Sequence, residues 1–223
     1  QQTLRDSAER FECLKSARIC DKVCGMGLAL RKERLYSPEE YLELERAAEV
    51  RHEYVDGEIY EMAGESLAHS RICVNISREI SQRLKGSTCE ALSPNMKVRA
   101  ETKGMFAYPD LSIVCGEPIF HDVRKDVLLN PKVIIEVLSP STQRYDQTKK
   151  FFRYRKEIPS LTDYILIYQD SPFIEHHEKT EDGRWVFNAF DGIEDTFRIP
   201  AIDCAIPLTE IYDRVEFPPG PDE

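Results

Sequence analysis

No apolar run in this sequence approaches the ~18 residues needed to cross a bilayer, so no membrane-spanning helix is expected. The N-terminus carries mixed charges and lacks the long apolar segment of a secretory signal. The seven cysteines, at 13, 20, 24, 73, 89, 115 and 204, include no CxxC pair. Odd in number and scattered, they argue for free thiols in a reducing compartment, and against a disulfide framework or a zinc site. A cytoplasmic location is the expectation. Internal repeats and low-complexity stretches are absent. Basic charge is also short: 30 Lys and Arg face 40 Asp and Glu, leaving −10. That total argues against a simple nucleic-acid binder, whose phosphate affinity comes from clustered cations.

The distribution of charge differs from its total. From Lys132 to Glu157, seven basic residues (Lys132, Arg144, Lys149, Lys150, Arg153, Arg155, Lys156) face three acids (Glu136, Asp146, Glu157), a local +4. The remaining chain therefore carries −14. With 223 residues, 41% of them hydrophobic, the chain fits one domain with a real core. Residues 1–25 hold three cysteines, precede the first methionine, Met26, and show no amphipathic pattern. They are expected to be an extension outside a domain at 26–217, with a tail at 218–223.

Ser37-Pro38-Glu39-Glu40 supplies a cap, a first-position proline and first-turn acids, predicting a helix. Glu53 to Glu61 reads as a hairpin turned at Asp56-Gly57. Leu67, Ile72, Ile76, Ile80 and Leu84 have helical spacing, ended by Gly86. Strands are predicted at about 89–99, 108–115, 132–138, 164–168, 173–177 and 185–190, with a helix over about 143–157. Sheets and helices in this order predict an α/β or α+β mixed sheet flanked by helices.

Two acids interrupt apolar strands. In Val133-Ile-Ile-Glu-Val-Leu138 both parities are apolar, which marks a strand covered on both faces. An unpaired ionised Glu136 there is costly, so it must be protonated, paired or metal-bound, unless it sits at the strand's end. Asp110, in Tyr108-Pro-Asp, repeats the pattern, although Asp after Pro is also common in turns. Adjacent strands can bring both carboxylates to one point. Two carboxylates and a backbone carbonyl, here that of Val137, suit a hard cation such as Mg²⁺ or Mn²⁺. On the following helix Asp146, Lys150, Arg153 and Glu157 form a stripe. It reads either as a solvated face with i,i+4 pairs or as Lys150 directed at the two acids. The spacing leaves both readings open. His176-His177 face opposite ways on a strand and make a poor metal pair.

From about Met26 to Phe217 the chain resembles a family of restriction-endonuclease-like proteins, abundant in cyanobacteria, within the PD-(D/E)XK nuclease superfamily. The resemblance lies in Tyr36-Ser-Pro-Glu-Glu-Tyr, Glu53-Tyr-Val-Asp-Gly-Glu-Ile-Tyr-Glu-Met-Ala-Gly, His69, Tyr108-Pro-Asp110, Glu136-Val-Leu-Ser-Pro-Ser-Thr142, Tyr145-Asp146, Lys150-Phe151 and Pro159-Ser-Leu. It implies a mixed sheet flanked by helices, with Asp110 and Glu136 as metal-binding acids. It also implies a Mg²⁺-dependent endonuclease acting on DNA. The motif position two after the glutamate usually carries lysine, and here it is Leu138. The resemblance suggests that this role has moved to Lys150, with Lys97 the rival. Glu53 matches a family acid and joins the candidate set, and Glu58 follows it. His69 is read as a cap or packing residue. The alternative reading is a catalytically inactive DNA-binding or protein-interaction module. Two-strand cleavage generally wants two sites, which makes a homodimer an expectation.

Overall fold

The computed structural model describes residues 34–100, 104–140 and 142–218. The extension at 1–25 and the tail beyond residue 218 lie outside them. In chain order the elements run α1 (Pro38–Ala47), β1 (His52–Val55), β2 (Glu58–Glu61), α2 (Leu67–Arg83), β3 (Cys89–Leu92) and β4 (Lys97–Ala100). Next come β5 (Met105–Ala107), β6 (Leu111–Cys115), β7 (Val127–Leu128) and β8 (Val133–Leu138). A helical segment follows: α3 (Gln143–Tyr145), a π-helical turn (Asp146–Lys150) and α4 (Phe151–Glu157). β9 (Asp163–Tyr168), β10 (Phe173–Lys179), β11 (Trp185–Asp191), β12 (Thr196–Ile199), β13 (Cys204–Pro207) and α5 (Leu208–Ile211) complete it.

The chain divides into two compact units, the first being 1–63 with 103–106. Within it Ser37 caps α1 through a full capping box: its hydroxyl accepts from the Glu40 amide, and the Glu40 carboxylate accepts from the Ser37 amide. The hairpin of β1 and β2 turns on Asp56 (φ 53°) and Gly57 (φ 96°), both left-handed, as a type I′ turn requires. A Cβ on Gly57 would lie 2.9 Å from the Cβ of Leu35. β1 also pairs antiparallel with β5, and the rings of Tyr41, Tyr54 and Phe106 close the small core.

The second unit, 64–102 with 107–223, contains a six-stranded mixed sheet in the order β11-β10-β9-β8-β6-β3. Only β8 and β9 run parallel there; the other neighbours are antiparallel. Residue parity on β8 divides the sheet. Val133, Ile135 and Val137 join Ile72, Ile76 and Ile80 of α2, with Leu111, Ile113, Ile165 and Ile167, in one apolar core. The other parity, Ile134, Glu136 and Leu138, is equally buried. On β9, Tyr164 stacks against Phe151 of α4 at 4.9 Å. Burial on both faces explains the continuous apolar run of β8. His176 and His177 do face opposite ways, the first bonded to Asp163 and the second packed at a tilt against Phe151.

Several elements depart from the expected boundaries. The strand predicted over 89–99 breaks at Ser93–Met96: β3 pairs with β6, whereas β4 runs parallel to β7. Pro94 removes an amide donor in that break, which ends the ladder. β6 starts at Leu111, so Asp110 lies in a bend just before the strand. The helix over 143–157 holds a five-residue π-helical turn. The cysteine expectation is also corrected in part. Cys89 and Cys115, opposite each other across β3 and β6, form a disulfide, while Cys73 and Cys204 are free thiols. Spacing along the chain cannot reveal a pair that strand register creates. Cys13, Cys20 and Cys24 lie outside the described residues.

Candidate metal and hydrolytic site

Leu111 stands opposite Ile135, and Ser112 opposite Ile134. Carried one residue further, that register sets Asp110 across from Glu136. Asp110 Oδ2 accepts a hydrogen bond of 2.7 Å from the Val137 amide, which ties the bend before β6 to the middle of β8. The same oxygen lies 3.4 Å from Nε2 of His69, near the start of α2. The Val137 contact is thus through its amide; its side chain faces the α2 core.

Glu136 has 4% of its surface exposed. Desolvation pushes its carboxyl well above the usual range; Lys150 opposes this, while Asp146 and Asp110 add to it. Lys150 Nζ lies 2.8 Å from Glu136 Oε1 and 3.5 Å from Asp146 Oδ1. Asp146 and Lys150 are each 4% exposed, so these two are not solvated, although they keep the expected i,i+4 pair. The π-helical turn joins their stripe to that of Phe151 and Tyr154, all four side chains now packing inward. Single π turns are frequent at functional sites. The Tyr164 hydroxyl secures the turn by donating to the Asp146 carbonyl at 3.0 Å.

Lys97 is occupied elsewhere. Its ammonium sits 3.2 Å from Asp126 and donates to the Tyr108 hydroxyl at 3.3 Å. Leu138, at the usual motif position, is 3% exposed and packs as an apolar residue. Glu53 lies on β1 opposite Tyr60 and belongs to the first unit, whereas Asp110, Glu136 and Lys150 belong to the second. Glu58 is exposed and accepts from the Tyr60 hydroxyl. Two residues outside the sequence-based candidate set join the cluster, Asp146 and His69. Asp146 was legible in its i,i+4 relation to Lys150. His69 caps nothing with its side chain; its ring bridges Asp110 and Glu65.

A solved structure from Anabaena variabilis, titled "a putative nuclease belonging to DUF820", aligns with a TM-score of 0.66 at 19% identity. The alignment covers 79% of this chain and 97% of that one, so the two share a fold. A family model described as "Putative restriction endonuclease", the Uma2 family, matches residues 38–207. The chain belongs to that family. Two uncharacterized proteins of a Synechocystis strain are also similar. One is 34% identical over 182 residues, covering 81% of this chain and 93% of the relative. The other is 34% identical over 153 residues, covering 69% and 86% respectively.

Proposed function

We propose that the chain is an endonuclease that hydrolyses DNA phosphodiester bonds with a divalent cation, Mg²⁺ or Mn²⁺, held by Asp110 and Glu136. The observation that carries the reading is the charge balance of the buried cluster. Two buried carboxylates (Glu136, Asp146) and the part-buried Asp110 meet the Lys150 ammonium and the His69 ring, and burial drives Glu136 toward its neutral form. A cation at that point relieves the deficit, and its oxygen donors suit a hard metal, with the Val137 carbonyl as the third protein ligand. When bound, the ion supplies water activation and neutralisation of the scissile phosphate. The protein supplies the geometry. The Val137 amide and His69 both contact Oδ2 of Asp110, and Oδ1 would be the oxygen to hold the cation. The Lys150 ammonium steadies the attacking water and the charge developing on phosphate.

The same reading has the protein act in the cytoplasm, where it would meet DNA. Among the described residues, no helix is long and apolar enough to cross a membrane. In a nicking assay with Mg²⁺ or Mn²⁺, Asp110→Ala and Glu136→Ala are expected to abolish cleavage; turnover surviving in both overturns the assignment. A second reading, a nuclease fold that binds DNA or protein without turnover, is favoured by the apolar Leu138 and by the −10 charge. Calorimetric titration of folded protein with Mg²⁺ separates the two, since that reading requires no metal binding. If both strands are cut, the active species is a symmetric homodimer, which sedimentation during catalysis tests.

A further inference from the structure

His69 and Cys73 lie four residues apart on one face of α2, and Glu65, just ahead of the Ser66 cap, reaches the same point. His69 Nδ1 lies 3.0 Å from Glu65 Oε2 and 3.4 Å from Cys73 Sγ, and one ligand atom from each residue falls within 4.8 Å of the others. Tetrahedral ligands at ~2.0–2.3 Å from a metal stand roughly 3.3–3.6 Å apart, close to this spacing. The opposite ring nitrogen, Nε2, faces Asp110 Oδ2 at 3.4 Å. A carboxylate behind a histidine fixes its tautomer and frees the other nitrogen to ligate.

We propose that Glu65 Oε2, His69 Nδ1 and Cys73 Sγ form a second metal site, for a soft divalent cation of the zinc type, with Asp110 orienting the histidine. The thiolate and imidazole set it apart from the all-oxygen site at Glu136, because such ligands select zinc-like ions over magnesium. Three protein ligands leave a fourth position open, and Glu65 is exposed, so that position faces solvent. To ligate, the Cys73 thiol gives up its proton, which a bound cation promotes. The absence of a CxxC pair hid this arrangement, since helix geometry spaces His69 from Cys73 and the chain before the cap brings in Glu65.

The test is titration of the reduced full chain with Co²⁺, followed by optical absorption. A thiolate-to-cobalt charge-transfer band is expected, displaced by Zn²⁺ and left unaltered by Mg²⁺. Cys73→Ser is expected to abolish the band. Glu65→Gln, at an exposed position outside the helix, should weaken Co²⁺ binding by about 10-fold or more, as loss of a site partner does. In Glu136→Gln the band persists, which separates this site from the hydrolytic one. No charge-transfer band, or a band that survives Cys73→Ser with unchanged Co²⁺ affinity in Glu65→Gln, overturns the proposal.

Discussion

Glu175 is the clearest case of a carboxylate whose protein contacts set its ionisation. His177 at 3.7 Å and the hydrogen bonds from the Tyr168 hydroxyl and Gln147 hold it below the usual 4.5, against the effect of partial burial. Because the folded value is the lower one, its stabilisation is complete above pH 4.5 and disappears as pH falls through the lowered value. Urea unfolding across this range is expected to show wild type ahead of Glu175→Gln at neutral pH and level with it in strong acid. A gap that ignores pH contradicts this account. Lys150 makes the opposite kind of test. Lys150→Met leaves Glu136 and Asp146 buried without their ammonium, and the expected loss is about 3 kcal/mol of stability. Nicking should fall at least ~100-fold. Asp110 and Glu136 were readable in the sequence because a charged residue inside an apolar run demands an explanation. His69 was not, because nothing local tells a histidine which strand end its helix start will meet.

At the scale of elements, the strongest local signals became structure with little change. Ser37-Pro38-Glu39-Glu40 became a capped helix, and Asp56-Gly57 a left-handed hairpin turn. Ser37→Ala is expected to lower stability by about 1 kcal/mol, read as a shift in urea midpoint without a change of slope. Gly57→Ala costs more, because it meets both a left-handed backbone and the Leu35 side chain. The signals failed where partners far along the chain decide. β7 has two residues and no pattern of its own, and β12 with β13 form a separate two-stranded sheet. The π-helical turn was equally invisible, since the sequence periods of one π turn and one α turn differ by less than a residue. It nonetheless decides the site, by carrying Asp146 and Lys150 inward beside Phe151 and Tyr154.

For the whole molecule, the question is how an acidic protein approaches a polyanion. Arg144, Lys149, Arg155 and Lys156 are exposed along the helical segment next to the buried acids, with the exposed ring of Phe152 under Arg155 and Lys156. If this face meets the phosphates, each cation removed lowers the slope of log binding constant against log salt by about 0.9. Arg144→Ala with Lys149→Ala is thus expected to reduce it by about 2, measured by fluorescence anisotropy on duplex DNA. An unchanged slope places the contact on another face. The net charge gave no hint of such a face; the local +4 did. Carrying the ammonium on a helix instead of on β8 has a further consequence. Glu136 sits on a paired sheet and Asp110 just before one of its strands, whereas the lysine rides on a segment of 15 residues, 143–157, that is held by side-chain packing and not by sheet hydrogen bonds. Competence can therefore be lost by a fluctuation far smaller than global unfolding. Amide exchange in mild urea should find 143–157 opening first, with activity fading alongside it while the β8 amides stay protected.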